Sequence, residues 1–270
     1  QARWADPKLS WGLVPTMGAL HQGHISLAKR SVSENDKSCA TIFVNPTQFA
    51  PTDDLDQYPR PLEKDLEMFE AAGIDMVFTP TPDVMYPAGF GTRVIVDGVT
   101  ARLEGEHRPG HFDGVTQVVS KLFNIVQPYR AYFGQKDAQQ TVVLKKMVRD
   151  LNFNLDLIIC PTVREPDGLA MSSRNIYLSA EQRQNATVLY RSLAKAKDMI
   201  EQDDIRDASL IRQTIREMVN NTPETELIYA SVADGANLRE LDQISGNILI
   251  SLAVRVGETR LIDNFILNNI

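Results

Sequence analysis

The alternation of strand-like and helical segments through the first 160 residues most strongly constrains the fold. Residues 12–14 and 37–44 are short apolar or β-branched runs that are typical of buried strands, and helix-forming stretches follow them. Further strand signals lie at 74–78, 131–133 and 155–159, and helical spacing lies at 61–72, 114–126 and 139–150. Because parallel strands are joined by crossover helices, this alternation predicts a parallel sheet covered on both faces. We expect a Rossmann-like, doubly wound α/β domain.

The pattern changes after about residue 175. Two charged, amphipathic helices are predicted at 180–202 and 208–220, and three strand-like runs follow at 227–233, 247–256 and 260–266. Helices followed by strands indicate a smaller α+β domain with antiparallel strands. We therefore expect one domain over residues 1–174 and a second over 175–270.

Composition limits the class of function. The 270 residues are 43% hydrophobic and 23% charged, as in ordinary globular proteins, and the net charge of −7 argues against a nucleic-acid surface. No apolar stretch approaches the roughly 18–20 residues of a membrane span, so we expect no membrane partner. Cys39 and Cys160 lie far apart in apolar runs, which predicts buried free thiols in a reducing, cytoplasmic compartment.

The stretch PTMGALHQGH, residues 15–24, places His21 and His24 between a strand and a helix. At such a junction the unpaired N–H groups and the dipole of the helix favour an anion, and phosphate is often bound there. Gly18 and Gly23 allow a bulky ligand to approach the backbone. Both imidazoles can stabilise charge that builds up on a phosphate, which predicts an electrostatic role.

Two alternatives remain for these histidines. The first is a turn that carries two incidental imidazoles. The second is zinc, because His107 and His111 form a second pair in HRPGH. We disfavour zinc, since Pro109 and Gly110 break any helix there and no Cys or Glu joins at metal-ligand spacing.

Three other segments carry ligand-type side chains. FVNPTQF (43–49) has Asn45 and Gln48, whose amides can bond a hydroxyl or a carboxylate. FGQKD (133–137) ends a strand with Gly134, Lys136 and Asp137, and Gln140 follows one turn later. DGLAMSSRN (167–175) combines Ser172, Ser173 and Arg174, which suits an anion clamp on a mobile loop. Each could be ordinary turn capping or a solvated surface, but together they predict a site for a small anionic ligand at the strand ends.

The chain closely resembles the pantothenate synthetase (pantoate–β-alanine ligase) family. The matching stretches keep the family's order over nearly the whole chain: VPTMGALHQGH, IFVNPTQF, YPR at 58–60, LEGEHRPGHFDGV, KLFNIVQP, FGQKD, QQ at 139–140, DGLAMSSRN and RLIDN at 260–264. The resemblance also implies membership of the nucleotidyltransferases with an H-x-G-H signature.

This resemblance implies a reaction in two steps. Pantoate's carboxylate attacks the α-phosphate of ATP, with Mg²⁺ assisting, to give pantoyl adenylate and pyrophosphate. The amine of β-alanine then attacks the adenylate and releases pantothenate and AMP. The resemblance also implies a homodimer, and we expect the smaller domain to close over the site. No enzyme nucleophile is needed, which agrees with the lack of a Ser-His or Cys-His arrangement.

Residue roles follow from the matching positions. His24 is the implied proton donor, with His21 and Lys136 as further catalytic groups, and Asp65 is a magnesium-side carboxylate by its place after YPR. Gln48 and Gln140 are expected to hold pantoate together with Asn45. The resemblance assigns ATP to Met17, Gly18, Ala19, Leu20, His21, Gln22, Gly23, His24, Gly134, Gln135, Lys136, Asp137, Val163, Met171, Ser172, Ser173 and Arg174.

Two positions depart from the family's usual pattern. Gln135 stands where an acidic residue is usual, and Ala138 stands where an aromatic residue is usual. We expect neither to remove chemistry, although the smaller Ala138 side chain changes local packing. The family also carries more residues before the first strand, so we expect part of the native N-terminus to be missing.

Other functions share parts of this pattern. An aminoacyl-tRNA synthetase fragment would share the H-x-G-H turn, but Ser172, Ser173 and Arg174 stand where a lysine-rich loop would be expected. A transferase that forms a dinucleotide or a CDP-alcohol is a nearer alternative, and a non-catalytic nucleotide-binding module is a third.

Overall fold

The computed structural model describes residues 8–51 and 53–270. The chain forms two compact units, one reaching to Gln135 and including Gln139–Pro161, the other comprising Lys136–Ala138 and Thr162–Ile270. The boundary expected between residues 174 and 175 falls inside the second, smaller unit. The smaller unit begins before residue 174 because the preceding segment packs into its core, where Leu169 is 2% exposed.

The larger unit is built on a parallel sheet. Its strands are β1 (Trp11–Thr16), β2 (Lys37–Ile42), β3 (Met76–Phe78), β4 (Arg130–Gly134) and β5 (Asp156–Cys160). They lie in the order β3-β2-β1-β4-β5, and every neighbouring pair is parallel. Its helices are α1 (Gln22–Glu34), α2 (Leu62–Ala71), α3 (Pro82–Met85), α4 (Glu104–His107), α5 (His111–Val126) and α6 (Ala138–Asp150), the last beginning with Ala138 of the smaller unit. The predicted doubly wound fold is confirmed.

Burial explains the apolar character of the central strand. Leu13 and Val14 are neighbours on β1, so their side chains point to opposite faces of the sheet, yet both are 0% exposed. Helices must therefore cover both faces, as a parallel sheet with a continuous apolar strand requires.

The strand order positions the candidate site. Because β1, β2 and β4 are parallel neighbours, their carboxyl ends meet at one edge of the sheet. The order reverses between β1 and β4, and ligands of doubly wound proteins bind outside the strand ends at such a reversal. The segment after β1 and the one-turn 3-10 helices Pro46–Gln48 and Gln135–Asp137 follow these three ends.

The smaller unit contains an antiparallel sheet with strands in the order β6-β7-β8. The strands are β6 (Thr225–Asp234), β7 (Ile248–Val256) and β8 (Thr259–Leu267), and the helices are α7 (Ala180–Asn185), α8 (Val188–Glu201) and α9 (Ala208–Asn220). The α+β prediction is confirmed, but the single helix predicted over 180–202 is two helices. At the junction the N–H groups of Thr187 and Leu189 donate to the carbonyls of Gln184 and Ala186, each at 3.2 Å, so these hydrogen bonds span three residues rather than the four of an α-helix.

Within residues 8–51 and 53–270, none of the helices combines the length and the apolar character that crossing a bilayer requires.

Candidate active site

The loop after β1 has an unusual backbone that a buried carboxylate stabilises. Gly18 and Ala19 have φ angles of 83° and 50°, and the second is uncommon for a residue with a side chain. Asp65 on α2 is 1% exposed, and its two oxygens accept the N–H groups of Ala19 and Leu20, each at 2.8 Å. A Cβ on Gly18 would lie 2.9 Å from Asp65 Oδ2. Asp65 therefore positions the loop that leads to the histidines.

His21 and His24 form a reciprocal cap at the start of α1. His21 Nδ1 accepts the N–H of Gly23 at 3.1 Å, and His24 Nδ1 accepts the N–H of His21 at 3.3 Å. The centroids of the two rings lie 4.1 Å apart, and the ring planes are tilted by 35° to each other. Gly23 is needed because a Cβ there would lie 2.7 Å from the His21 ring. Local hydrogen bonding therefore fixes both predicted catalytic imidazoles at a helix N-terminus.

This cap also selects a tautomer. A ring nitrogen that accepts an N–H group carries no proton, so a neutral His21 or His24 carries its proton on Nε2. Each neutral ring is then a hydrogen-bond donor at Nε2, next to the positive end of the helix dipole. Both features favour an anionic ligand.

The turn after β2 holds the Gln48 amide through Asn45. Asn45 is 1% exposed, and its Nδ2 donates to Gln48 Oε1 at 3.0 Å and to the Gly114 carbonyl at 3.1 Å. Its Oδ1 accepts the Tyr86 hydroxyl at 2.7 Å. Gln48 Nε2 in turn donates to Met17 Sδ at 3.1 Å. The structure thus joins the predicted residues Asn45 and Gln48 to the segment after β1.

Two residues that support this turn were not among the predicted site residues. The carbonyl of Gln48 lies 2.9 Å from His111 Nδ1 and 3.5 Å from a guanidinium nitrogen of Arg108. Arg108 also pairs with Asp53 at 2.9 Å. His111 was weighed only as a zinc ligand, but no cluster of three metal-ligating side chains forms among the described residues. Arg108 and His111 both lie in the stretch HRPGH (107–111), which is the sequence signal from which they could have been predicted.

The two adjacent glutamines on α6 have different environments. Gln139 is 4% exposed, accepts the Glu104 N–H at 2.9 Å and donates to the carbonyls of Val99 and Arg102, each at 2.8 Å. Gln140 is half-buried, and no hydrogen bond joins its amide to the other residues that the structure describes. Gln139 therefore holds the chain around residues 99–104, whereas Gln140 keeps the capacity to bind a ligand.

The predicted anion clamp of the smaller unit follows a hairpin-like turn. Met171 N–H donates to the Val163 carbonyl at 3.0 Å, and Gly168 turns the chain with a φ of 92°. Ser172 caps a short 3-10 helix by accepting the Arg174 N–H at 3.3 Å. Val163 and the four residues Met171–Arg174 are half-buried. The turn places Val163 beside the start of the clamp.

A buried ion pair fixes this turn. Arg164 donates two hydrogen bonds to Asp263 on β8, at 2.6 Å and 2.9 Å, and a third to the Gly168 carbonyl at 3.0 Å. The Arg164 guanidinium also lies 5.0 Å from the Tyr190 ring centroid. Burial raises the pKa of Asp263, and the Arg164 guanidinium opposes that rise.

Lys136 and its neighbours follow β4. The Lys136 side chain is 23% exposed and its ammonium lies 3.9 Å from the Asp137 carboxylate. Asn264 Nδ2 donates to the Lys136 carbonyl at 2.9 Å. Gly134 and Gln135 are half-buried, and Ala138 is 6% exposed at the start of α6.

Within the part of the chain that the structure describes, no group of three or more His, Cys, Asp or Glu side chains could hold a metal ion. The magnesium-side role of Asp65 stays a prediction; its carboxylate is 1% exposed, and each of its oxygens accepts a backbone N–H group. The structure therefore gives Asp65 a positioning role. Mg²⁺ commonly keeps its waters and binds through substrate phosphates, so no step is assigned to a metal held by this chain alone.

Comparison with known families identifies the chain. Residues 1–266 match the family model described as pantoate-beta-alanine ligase. The chain belongs to the pantoate–β-alanine ligase family. A curated family member, the pantothenate synthetase of Acetivibrio thermocellus, is 54% identical over 255 residues, which cover 94% of this chain and 90% of that protein. The enzyme of Moorella thermoacetica is 54% identical over 259 residues, covering 96% and 91%.

Solved structures of the family have the same fold. The pantothenate synthetase of Thermus thermophilus superposes with a TM-score of 0.93 at 45% identity, covering 97% of this chain and 95% of that one. A pantoate-beta-alanine ligase of Francisella tularensis, complexed with beta-gamma ATP and beta-alanine, has a TM-score of 0.77 at 37% identity, with coverage of 96% and 90%. Membership of the ligase family thus rests on sequence and fold together.

Replacing Asp65 tests its positioning role. We expect Asp65→Ala to lower the free energy of unfolding by roughly 2–4 kcal/mol, because two backbone donors lose a charged acceptor. Urea unfolding measures the change. Glu63→Ala is the matched control, since Glu63 lies in the same first helical turn but is exposed, and a change within about 0.5 kcal/mol is expected. Unchanged stability in Asp65→Ala, with activity restored by added Mg²⁺, would instead support the magnesium role.

Proposed function

We propose that this protein condenses pantoate with β-alanine at the expense of ATP and forms pantoyl adenylate as the intermediate. The products are pantothenate, AMP and pyrophosphate. The proposal is supported by the family match over residues 1–266 and, within the site, by the capped H-x-G-H helix start. That start is the observation that carries the proposal, because the positive end of the helix dipole and two imidazoles that donate at Nε2 suit an anion at the reacting phosphorus atom.

Adenylation needs charge stabilisation at the α-phosphate and no enzyme nucleophile. The pantoate carboxylate forms a bond to phosphorus, and the bond to the pyrophosphate oxygen breaks. We assign charge stabilisation to His21 and His24, and proton donation to His24. A cysteine nucleophile would be unsuited, since burial raises the pKa of Cys39 to about 12 and also raises that of Cys160.

Pantoate recognition is assigned to two amides. Gln48 is oriented by Asn45, while Gln140 stands at the first turn of α6 after β4. A neutral amide can donate to a carboxylate oxygen and accept from a hydroxyl, which are the polar groups of pantoate. Gln48 is thus oriented before the substrate binds, whereas the Gln140 amide keeps its hydrogen-bonding capacity for the substrate.

ATP recognition draws further on the smaller unit. We assign the phosphates to Lys136, Ser172, Ser173 and Arg174, because a cation, hydroxyls and exposed amides suit phosphate oxygens. The adenine is assigned to Val163. The remaining ATP-site assignments from the family are Met17, Gly18, Ala19, Leu20, Gln22, Gly23, Gly134, Gln135, Asp137 and Met171.

Several finer properties complete the proposal. Mg²⁺ enters with the triphosphate, the smaller domain closes over the substrates, and the working form is a homodimer. A cytoplasmic location is supported by two free, buried cysteines, which a reducing compartment keeps as thiols.

Product analysis tests the function. The purified protein is incubated with ATP, pantoate and β-alanine, and the nucleotide products are separated. We expect AMP and pyrophosphate, with pyrophosphate already released when pantoate is present without β-alanine. Formation of ADP and phosphate would overturn the adenylate mechanism, and ATP binding without turnover would indicate a non-catalytic module. Turnover only with a nucleotide or alcohol acceptor would indicate another nucleotidyltransferase.

His24 is tested by separating its two roles. We expect His24→Ala to slow adenylation by about 10²–10³-fold through loss of a positioned donor. His24→Gln is the matched variant, since Gln at this position restores a capping box. His24→Gln should therefore recover the melting temperature while adenylation stays slow. Full recovery of the rate by His24→Gln would mean that only the cap matters.

Gln48 is tested through ligand selectivity. Gln48→Ala should weaken pantoate binding about 5- to 150-fold, which corresponds to roughly 1–3 kcal/mol for one unsatisfied buried group. ATP affinity should hardly change. Calorimetry with each ligand separately measures both. Equal losses for ATP and pantoate would mean that the substitution disturbs the domain generally.

A further inference from the structure

Two adjacent residues of β8 contact Lys136 and the turn that precedes the other predicted phosphate-binding segment of the smaller unit. Asn264 Nδ2 donates to the Lys136 carbonyl at 2.9 Å. Asp263 accepts two hydrogen bonds from Arg164, which lies in the turn that leads into Ser172–Arg174. Side chains of neighbouring residues in a strand point to opposite faces of the sheet. One face of β8 therefore contacts Lys136 and the other contacts the turn at Arg164.

A contribution to stability does not explain why these two buried positions of β8 are polar. Asp263 and Asn264 are each 2% exposed, and β7, with which β8 pairs, is buried and almost entirely apolar. Burying a carboxylate or an amide is costly unless its hydrogen bonds are completed by the protein. Apolar replacement of a buried ion pair is often neutral or stabilising, so the Arg164–Asp263 pair is not explained by stability.

We propose that Asp263 and Asn264 are positioning residues for the nucleotide-binding groups, Asn264 acting through Lys136 and Asp263 acting through Arg164. This inference rests on the proposed function. Neither residue touches the nucleotide in this scheme. Asn264 fixes the backbone from which the Lys136 ammonium extends, and Asp263 fixes the turn that precedes the anion clamp.

The surroundings of Arg164 strengthen the second half of this inference. Its guanidinium lies 5.0 Å and 5.1 Å from the ring centroids of Tyr190 and Phe265, and the two rings meet edge to face. It also donates to the Gly168 carbonyl at 3.0 Å. A guanidinium held by a carboxylate, a carbonyl and two rings has one orientation. The contacts of Arg164 therefore hold the turn that precedes residues 171–174.

Small displacements at such positions have large effects on rate. A misplacement of about 1 Å, caused by a change remote from the reacting atoms, can cost on the order of 10²-fold in rate. Loss of the Asn264 amide leaves the Lys136 carbonyl without this donor and lets its peptide unit rotate. Lys136 then contributes less to adenylation, while the attack of β-alanine on preformed pantoyl adenylate is unaffected.

Asn264→Ala is the first test, and Ser251→Ala is its control. Ser251 pairs with Asn264 across β7 and β8, and its buried Oγ has no hydrogen-bond partner within the described residues. We expect Asn264→Ala to slow adenylation about 10- to 100-fold. The β-alanine step of Asn264→Ala and both steps of Ser251→Ala should stay within about twofold of the unmodified protein.

A double substitution separates positioning from general damage. In a Lys136→Ala background the ammonium is gone, so Asn264→Ala should slow adenylation by no more than about a further twofold. A merely structural role would reduce the rate by the same factor in both backgrounds, and that result would overturn the inference for Asn264. The same test for Asp263 compares Asp263→Asn in the unmodified protein with Asp263→Asn in an Arg174→Ala background.

Hydrogen exchange provides a readout that does not depend on catalysis. We expect faster exchange at 136–138 in Asn264→Ala and at 163–174 in Arg164→Lys, a variant that keeps a positive charge beside the buried Asp263 carboxylate. Unchanged exchange and unchanged adenylation in these variants would overturn the inference while the proposed function stands. If the variants exchange faster but the unmodified protein makes no AMP, the proposed function is overturned. Asp263 and Asn264 would then only anchor these segments structurally.

Discussion

The burial of β1 on both faces is the constraint from which the larger unit follows. Leu13 and Val14 point to opposite sides of the sheet and both are fully buried, so helices must cover each side. Crossover helices keep the strands parallel, and parallel strands bring their carboxyl ends to one edge. The ligand-type residues after β1 and β2 are therefore neighbours in the fold although they are far apart in sequence, as the hydrogen bond from Gln48 to Met17 shows.

The sequence predicted this framework well because it depends on patterns that are local. The parallel pairing of the first sheet and the antiparallel pairing of the second were predicted from periodicity and alternation, whereas the strand order was not predicted. The break between α7 and α8 was missed, since a local change in backbone hydrogen bonding at Thr187 leaves the amphipathic pattern of the sequence intact. The unit boundary was placed late because the packing of Leu169 is a tertiary property.

The candidate site was predicted less completely, for a different physical reason. Residue type does not reveal whether a polar side chain serves a ligand or the protein. The place of Asp65 after YPR predicted a carboxylate beside magnesium, and in the structure its oxygens accept backbone N–H groups. The QQ pair shows the same ambiguity, because Gln139 has its amide fully engaged while Gln140 does not. His111 and Arg108 were passed over because their contacts with the Gln48 carbonyl join distant parts of the chain.

Asp65 and Asp263 illustrate one structural device that both units use. Each is a carboxylate with almost no exposure, and each accepts hydrogen bonds next to a loop that carries candidate phosphate-binding groups. A buried carboxylate with completed hydrogen bonds resists movement, since any displacement leaves a charge without partners in a low-dielectric interior. Stabilising charge in a transition state requires donors that are already oriented before the reaction. Buried carboxylates behind the loops meet that requirement without occupying the positions where substrate atoms must bind.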